Sequence, residues 1–206
     1  MTDSAQLPRL TYFDFPGRGE AVRDALRIGH VAFEDVRVSA ATFRELRAAG
    51  KLPTDTLPML ELPDGTRIGQ SNTLLRWAGA QAGLTPTDPV EALEVESLLD
   101  CIEDYGARLS VSIRVEDEAV RASLRSALAA SWLPHFYELL DRRLRDGEAW
   151  LAAGRLTVAD LKAVHLLDKL INGSLTGLPT DALVAFPRVV AWRARVHDER
   201  RLRLGE

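Results

Sequence analysis

Tyr12 lies in the short β-prone run Leu10-Thr-Tyr-Phe, and the turn-forming Phe15-Pro-Gly-Arg-Gly follows it almost at once. A strand tyrosine ordinarily packs its ring, but a phenol beside a turn can also donate a hydrogen bond to a bound anion. Arg18 falls where a helix begins, a place where a cation opposes the helix dipole; that awkwardness favours a functional charge over a merely solvated one. Ser71 stands before the helical stretch Asn72 to Gln81. It suits an N-cap, and a helix start also offers N–H groups and positive potential to a carboxylate.

Other chemistry-bearing side chains are less suggestive. Asp100, Glu103 and Asp104 set three carboxylates on adjacent turns of one helix; exposed helix acids and a divalent-cation cluster both stay open for them, and no metal is assigned. His30, His135, His165 and His197 are scattered without a partner at metal or nucleophile spacing, and Ser110 and Ser112 lack a Ser/His/Asp setting. The single cysteine, Cys101, sits among Leu98, Leu99 and Ile102 and reads as a small buried hydrophobe. One cysteine forms no intramolecular disulfide, so any sulfur chemistry here uses the sulfur of a ligand.

The elements that must position these residues change character along the chain. A strand at Leu10-Thr-Tyr-Phe, a helix with Val22, Ala25 and Leu26 on one face, and a strand at Phe33 to Val38 form a βαβ unit with parallel pairing. A short helix at Thr42 to Ala49 follows, then a hairpin of Pro58-Met-Leu-Glu-Leu and Thr66-Arg-Ile turning at Asp64-Gly65, then the helix from Asn72. Gly83-Leu-Thr-Pro-Thr-Asp-Pro is dense in turn residues and marks a linker.

Beyond it only helical periods remain. One runs through Val95, Leu98, Leu99, Ile102, Tyr105 and Leu109; a second runs from Val120 to Leu144, with Pro134 expected to interrupt it. Thr157-Val-Ala-Asp160 has the form of a capping box, flanked by Leu156 and Leu161 as a hydrophobic staple. The last helix is expected to begin at Pro187 and to turn Val189, Val190 and Val196 inward. The order is α/β plus all-α: residues 1–82, a linker at 83–89, and a helical domain over 90–206.

With 46% apolar and 27% charged residues the composition is that of an ordinary globular protein. A formal net charge of −4 with basic residues spread along the chain argues against a nucleic-acid partner. There is no long uncharged apolar run and no secretory pattern at the N-terminus, so no membrane association is expected and a cytoplasmic location is.

Tyr12-Phe-Asp-Phe-Pro-Gly-Arg-Gly-Glu20 resembles the opening of tyrosine-type cytosolic glutathione transferases, most closely the sigma-like group that includes glutathione-dependent prostaglandin D synthases. Leu57-Pro-Met-Leu-Glu61 resembles the family's cis-proline strand and Gln70-Ser71-Asn72 its γ-glutamyl-binding turn. Asp100 to Asp104 is similar to its acidic segment at the subunit interface, and Leu156 to Asp160 to its helical-domain capping box. The resemblance implies a thioredoxin-like glutathione-binding domain followed by an all-helical domain, with glutathione as co-substrate.

A free thiol has a pKa of about 8.5, so an enzyme that uses one as a nucleophile at neutral pH must stabilise its anion. The resemblance makes Tyr12 the hydroxyl donor to the glutathione sulfur and Arg18 a positive charge beside it. It gives Leu57 and Pro58 the cysteinyl backbone, Gln70 and Ser71 the γ-glutamyl carboxylate, and Phe43, Arg47 and Lys51 the glycyl end. The stretch from Phe43 to Pro58 is longer than in the sigma-like group, and Thr56 takes the place of a longer polar residue, so the choice between Arg47 and Lys51 stays open. Asp104 is implied to reach the γ-glutamyl ammonium across a homodimer.

The expected function is conjugation of glutathione to small hydrophobic electrophiles, in a pocket between the domains lined by Phe15, residues near Val111 and Ile113, and Leu204. A glutathione-dependent isomerase and a non-enzymatic binding module on the same fold are the alternatives.

Overall fold

Strand β1 (Arg9–Phe13) buries Leu10, Thr11 and Tyr12 in succession because it is an inner strand, paired on both edges. On one edge β2 (Glu34–Val38) runs parallel, with Tyr12 opposite Arg37; on the other β3 (Met59–Glu61) runs antiparallel, with Thr11 opposite Met59. A short β4 (Arg67–Ile68) pairs antiparallel with β3, giving the sheet order β2-β1-β3-β4. The computed structural model describes residues 6–205, and the chain divides after Thr85 into two compact units.

In the first unit α1 (Glu20–Ile28) makes the crossover that parallel pairing requires, and it buries Val22, Ala25 and Leu26 as their spacing predicts. Helix α2 (Ala40–Ala48) starts earlier than the apolar period suggests, because the Ser39 side chain accepts the Thr42 N–H and fixes the first turn. The hairpin turns where Asp64-Gly65 predicts: Gly65 has φ +84, and the Asp64 side chain accepts the Thr66 N–H.

Helix α3 (Ser71–Gln81) corrects one expectation. Ser71 is its first helical residue rather than its N-cap; Gln70 holds the cap position at φ 73 and makes no side-chain cap bond. A residue at positive φ breaks the strand direction abruptly, and the helix begins one position sooner than the polar pattern implies.

The second unit contains helices and no strand among its described residues. Helix α4 (Pro89–Arg114) is capped by Asp88, which accepts the Val90 and Glu91 N–H groups, and buries Val95, Leu98, Leu99, Ile102 and Leu109. Helix α5 (Glu118–Ala127) is capped by Asp117. A π-helical turn, Leu128–Trp132, then leads into α6 (Leu133–Arg143), whose first turn holds Pro134. The expected interruption is therefore a change of helix type just ahead of the proline, which has no N–H to give to a carbonyl one α-turn back.

Helix α7 (Val158–Ile171) starts in the expected capping box, and Leu156 and Leu161 are both buried. Asp160 does more than cap. One carboxylate oxygen accepts the Thr157 N–H at 2.9 Å and the Thr157 hydroxyl at 3.0 Å. The other accepts the Leu151 N–H at 3.1 Å and the Trp192 indole N–H at 2.9 Å. Burial pushes this carboxyl up, and the donors from Trp192, Leu151 and Thr157 pull against it.

Helix α8 (Pro187–Leu204) turns Val189, Trp192 and Val196 inward, all at 0% exposure, while Val190 is 46% exposed. Val190 was expected inside. The i, i+3, i+7 stripe belongs to the residues in phase with Trp192, and the indole bond to Asp160 sets that phase.

Candidate active site

The end of β1 feeds a turn that folds back onto Tyr12. The Arg18 N–H donates to the Tyr12 hydroxyl oxygen at 2.9 Å. This return needs room, and two glycines supply it. A Cβ on Gly17 would lie 2.4 Å from Tyr12 Oη, and one on Gly19 would lie 2.5 Å from Tyr12 Cγ. Neither position needs a left-handed backbone, so these glycines are present for close approach, not for conformational freedom.

The Tyr12 ring is 5% exposed and packs with Leu52, Leu57 and Met59, against which the partly buried Phe13, Val38, Phe43 and Leu46 lie. Burial pushes the phenol pKa up; the N–H of Arg18, the Arg18 charge, the N–H of Gly19 and the Arg23 charge oppose that rise without cancelling it. Tyr12 is thus a neutral phenol at physiological pH. Its oxygen already accepts from the backbone, and no described residue accepts its O–H proton. The arrangement can give one directed hydrogen bond to an incoming anion.

Aromatic rings extend from this point. Phe13 and Phe15 stack with centroids 5.1 Å apart and an interplanar angle of 9°, Phe43 meets Phe13 edge-on at 5.4 Å, and Phe15 is 51% exposed.

Of the residues named from the sequence, Tyr12, Leu57 and Phe43 come together in one cluster, and the Arg18 backbone joins them while its side chain is exposed. The peptide bond between Leu57 and Pro58 is cis, and Pro58 is buried. Arg47 ends α2 on an exposed face. Lys51 is also exposed, and its N–H closes the turn onto the Leu46 carbonyl at 2.9 Å. Gln70 and Ser71 open α3, exposed and half-buried respectively. Just before them, Gly69 is pressed by Thr54: a Cβ there would meet Thr54 Oγ1 at 2.3 Å, and Thr54 in turn bonds the Thr56 hydroxyl at 3.1 Å. The longer segment before Pro58 is thereby seated beside the start of α3.

Asp104 is in the second unit, exposed on α4. Its neighbour Glu103 is held by Lys162 at 2.6 Å, and among the described residues no three His, Cys, Asp or Glu gather as a metal site. Val111 and Ile113 are exposed on the same helix. Cys101 is half-buried; burial, and then the Asp104 charge, push its thiol up, which disfavours a reactive thiolate.

Sequence reasoning missed Arg23. It reads as a surface residue of an amphipathic helix, yet it is fully buried beneath Tyr12, with its guanidinium carbon 5.6 Å from the ring centroid. The one sequence signal was Glu20 three residues earlier, at ion-pairing distance on a helix.

Comparison with known proteins shows the family. The family model described as "Glutathione S-transferase, C-terminal domain" matches residues 103–203. Glutathione S-transferase 2 of Caenorhabditis elegans is 31% identical over 169 residues, which make up 80% of this chain and 88% of that one. The chain belongs to the glutathione S-transferase family. The glutathione S-transferase fold accounts for both units, a mixed four-stranded sheet with helices and then a helical domain.

Human hematopoietic prostaglandin D synthase is 27% identical over 188 residues, 91% of this chain and 89% of that protein. The solved structure of prostaglandin synthase D from Nilaparvata lugens matches with a TM-score of 0.83 at 26% identity, covering 93% of this chain and 92% of that one. These likenesses put the chain with the sigma-like glutathione S-transferases. Glutathione is the family's co-substrate. No helix among the described residues is long and apolar enough to cross a membrane.

Proposed function

We propose that the protein conjugates glutathione to small hydrophobic electrophiles, with the Tyr12 hydroxyl donating to the thiolate sulfur. The observation that carries this reading is the seat of that hydroxyl. It is a neutral phenol whose oxygen is held by the Arg18 N–H, with its own proton left to give. In the reaction the thiolate sulfur forms a bond to the electrophilic carbon and a leaving group departs, or a proton is taken up where the acceptor is an unsaturated carbonyl. Tyr12 need not lose its proton, since donation to sulfur already favours the anion over the thiol.

The remaining site follows the same reading. The start of α3 offers backbone N–H groups to the γ-glutamyl carboxylate at Gln70 and Ser71. The backbone N–H and C=O of Leu57 take the cysteinyl part as a short added strand. Phe43 with Arg47 or Lys51 takes the glycyl end, Arg18 adds positive charge near the sulfur, and the exposed Phe15 ring borders the electrophile. The glutathione S-transferase family is generally dimeric; here a homodimer would bring Asp104 of one protomer to the γ-glutamyl ammonium of its partner, in the cytoplasm.

The likeness to prostaglandin D synthases favours a second reading, isomerisation of a lipid peroxide at the same thiolate. Turnover of aryl halides and unsaturated carbonyls supports the transferase. Turnover confined to endoperoxides supports the isomerase, and glutathione binding with no turnover of either class leaves a binding module.

Tyr12→Phe tests the shared chemistry. A hydrogen bond to a charged group is worth about 1.5–3 kcal/mol, so the bound thiol pKa should rise by about one to two units, with conjugation at neutral pH falling by about tenfold or more. Ultraviolet difference titration of bound glutathione reads the shift. A folded variant with the wild-type thiol pKa and rate overturns the assignment.

A further inference from the structure

Arg23 is a charge that the thiolate mechanism as stated leaves unused, and its surroundings are unusually complete. A guanidinium at 0% exposure persists only where its donor edges are matched. Here Nη1 donates to Glu20 Oε2 at 2.8 Å, Nε to Asp35 Oδ1 at 2.8 Å, and Nη2 to the Phe13 carbonyl oxygen at 3.1 Å. Asp35 is itself held by Arg37 at 3.1 Å and by Arg27 at 3.3 Å, which keeps the anchor ionised and oriented.

These partners bracket one segment. Phe13 is the last residue of β1, Glu20 the first of α1, and Asp35 lies on the parallel strand β2. The chain between the first two, residues 14–19, is the turn that brings the Arg18 N–H to Tyr12 Oη and presses Gly17 and Gly19 against the ring. Meanwhile the guanidinium carbon lies 5.6 Å from the Tyr12 ring centroid, within cation–π range. A cation at that face stabilises negative charge developing on the phenol oxygen, and so makes the O–H more acidic and a stronger donor.

We infer that Arg23 is a positioning residue for the reaction: it fixes the 14–19 turn on Tyr12 and strengthens the Tyr12 phenol as hydrogen-bond donor to the glutathione thiolate. This rests on the proposed role of Tyr12. A purely structural ion pair would account for Glu20 or Asp35. It would not require the same guanidinium to hold the Phe13 carbonyl and to sit against the neighbouring ring.

The test compares Arg23→Met, which keeps length and removes charge, with Arg23→Lys, which keeps charge but cannot match three partners from a planar fork. In Arg23→Met the bound thiol pKa should rise by about one unit, equivalent to about tenfold in the thiol–thiolate equilibrium, while glutathione affinity is retained because the γ-glutamyl and glycyl ends are held elsewhere. Arg23→Lys should recover part of the shift. The double variant Tyr12→Phe with Arg23→Met should move the thiol pKa no further than Tyr12→Phe alone, because Arg23 acts through that phenol. Asp35→Asn loosens one anchor and leaves the charge, so it should give a smaller shift in the same direction; it decides the matter if Arg23→Met does not fold.

Folded Arg23→Met or Asp35→Asn with wild-type thiol pKa and only a lower melting temperature makes Arg23 structural and overturns the inference. If Tyr12→Phe also leaves the thiol pKa unchanged, it is the Tyr12 reading that fails.

Discussion

Replacing Asp160 should destabilise the protein by more than the loss of a helix cap. Its buried carboxylate accepts four hydrogen bonds, from the Thr157 N–H, the Thr157 hydroxyl, the Leu151 N–H and the Trp192 indole. The donors come from the start of α7, the segment before it and α8, so one side chain joins three parts of the unit. Asp160→Asn keeps the shape but puts an amide –NH2 where one oxygen stood, and in either orientation that group faces two of those donors. A buried donor left without a partner costs about 1–3 kcal/mol, and with the amide turned to Thr157 the rotatable hydroxyl can escape and one N–H is stranded, so about 1–3 kcal/mol should be lost. Asp160→Ala strands all the backbone and indole donors and should cost about 3–5 kcal/mol. That exceeds the 0.5–2 kcal/mol usual for a lost helix cap and is a large share of a domain's stability of about 5–15 kcal/mol. Urea unfolding followed by Trp fluorescence and far-ultraviolet circular dichroism measures both losses. Thr157→Val, which loses only the cap and one hydroxyl bond, should fall near 1 kcal/mol and serves as the scale. An Asn variant within about 0.5 kcal/mol of wild type at unchanged m-value would show that the carboxylate is not the clamp its geometry implies.

Three further outcomes are expected. Gly17→Ala should leave the protein folded but displace Tyr12 Oη, which a new Cβ would approach to 2.4 Å; steady-state conjugation should fall by about tenfold, and a wild-type rate would separate the hydroxyl from the reaction. Asp104→Asn should weaken glutathione binding while sedimentation still shows a dimer; a wild-type protein that sediments as a monomer and binds glutathione normally would remove the cross-subunit role. Asp168 is opposed by burial, but the bonds from His197 and Arg193 hold its carboxyl below the usual range. A depressed folded pKa contributes stability above the unfolded value of about 4 and loses it as pH falls through the folded value. The melting temperature of Asp168→Asn should therefore lie below wild type at neutral pH and converge with it in acid; parallel curves would refute this.

Much of the local structure around the candidate site was legible because its signals are local. A tyrosine one turn ahead of Pro-Gly-Arg-Gly, a proline opening a strand, and a Thr-x-x-Asp ahead of an apolar run each carry their meaning within a few residues. What escaped depended on partners distant in sequence. Arg23 looks like any helix arginine until Asp35 and the Phe13 carbonyl close around it, and Asp160 looks like half a capping box until Leu151 and Trp192 arrive. Val190 and Trp192 differ by two positions, and periodicity alone did not decide which faces inward; the indole bond does. The start of α3 was misplaced for a different reason, since a glutamine gives no hint of a positive φ. Gly17 and Gly19 look like turn formers in the sequence, whereas their value is the absence of a Cβ beneath a ring.

The π-helical turn at Leu128–Trp132 bears on how this chain is matched to its relatives. There the Leu133 N–H bonds the Leu128 carbonyl, five residues back instead of four. Leu128 and Leu133 therefore occupy successive rungs of one stripe, and the turn has absorbed one extra residue without rotating Phe136 and Leu140 out of the core. A relative with an unbroken α-helix at this place is one residue shorter for the same three-dimensional path. Against such a relative the one-residue gap falls within Leu128–Trp132, and pairing without it sets every position on one side of the turn against the wrong neighbour.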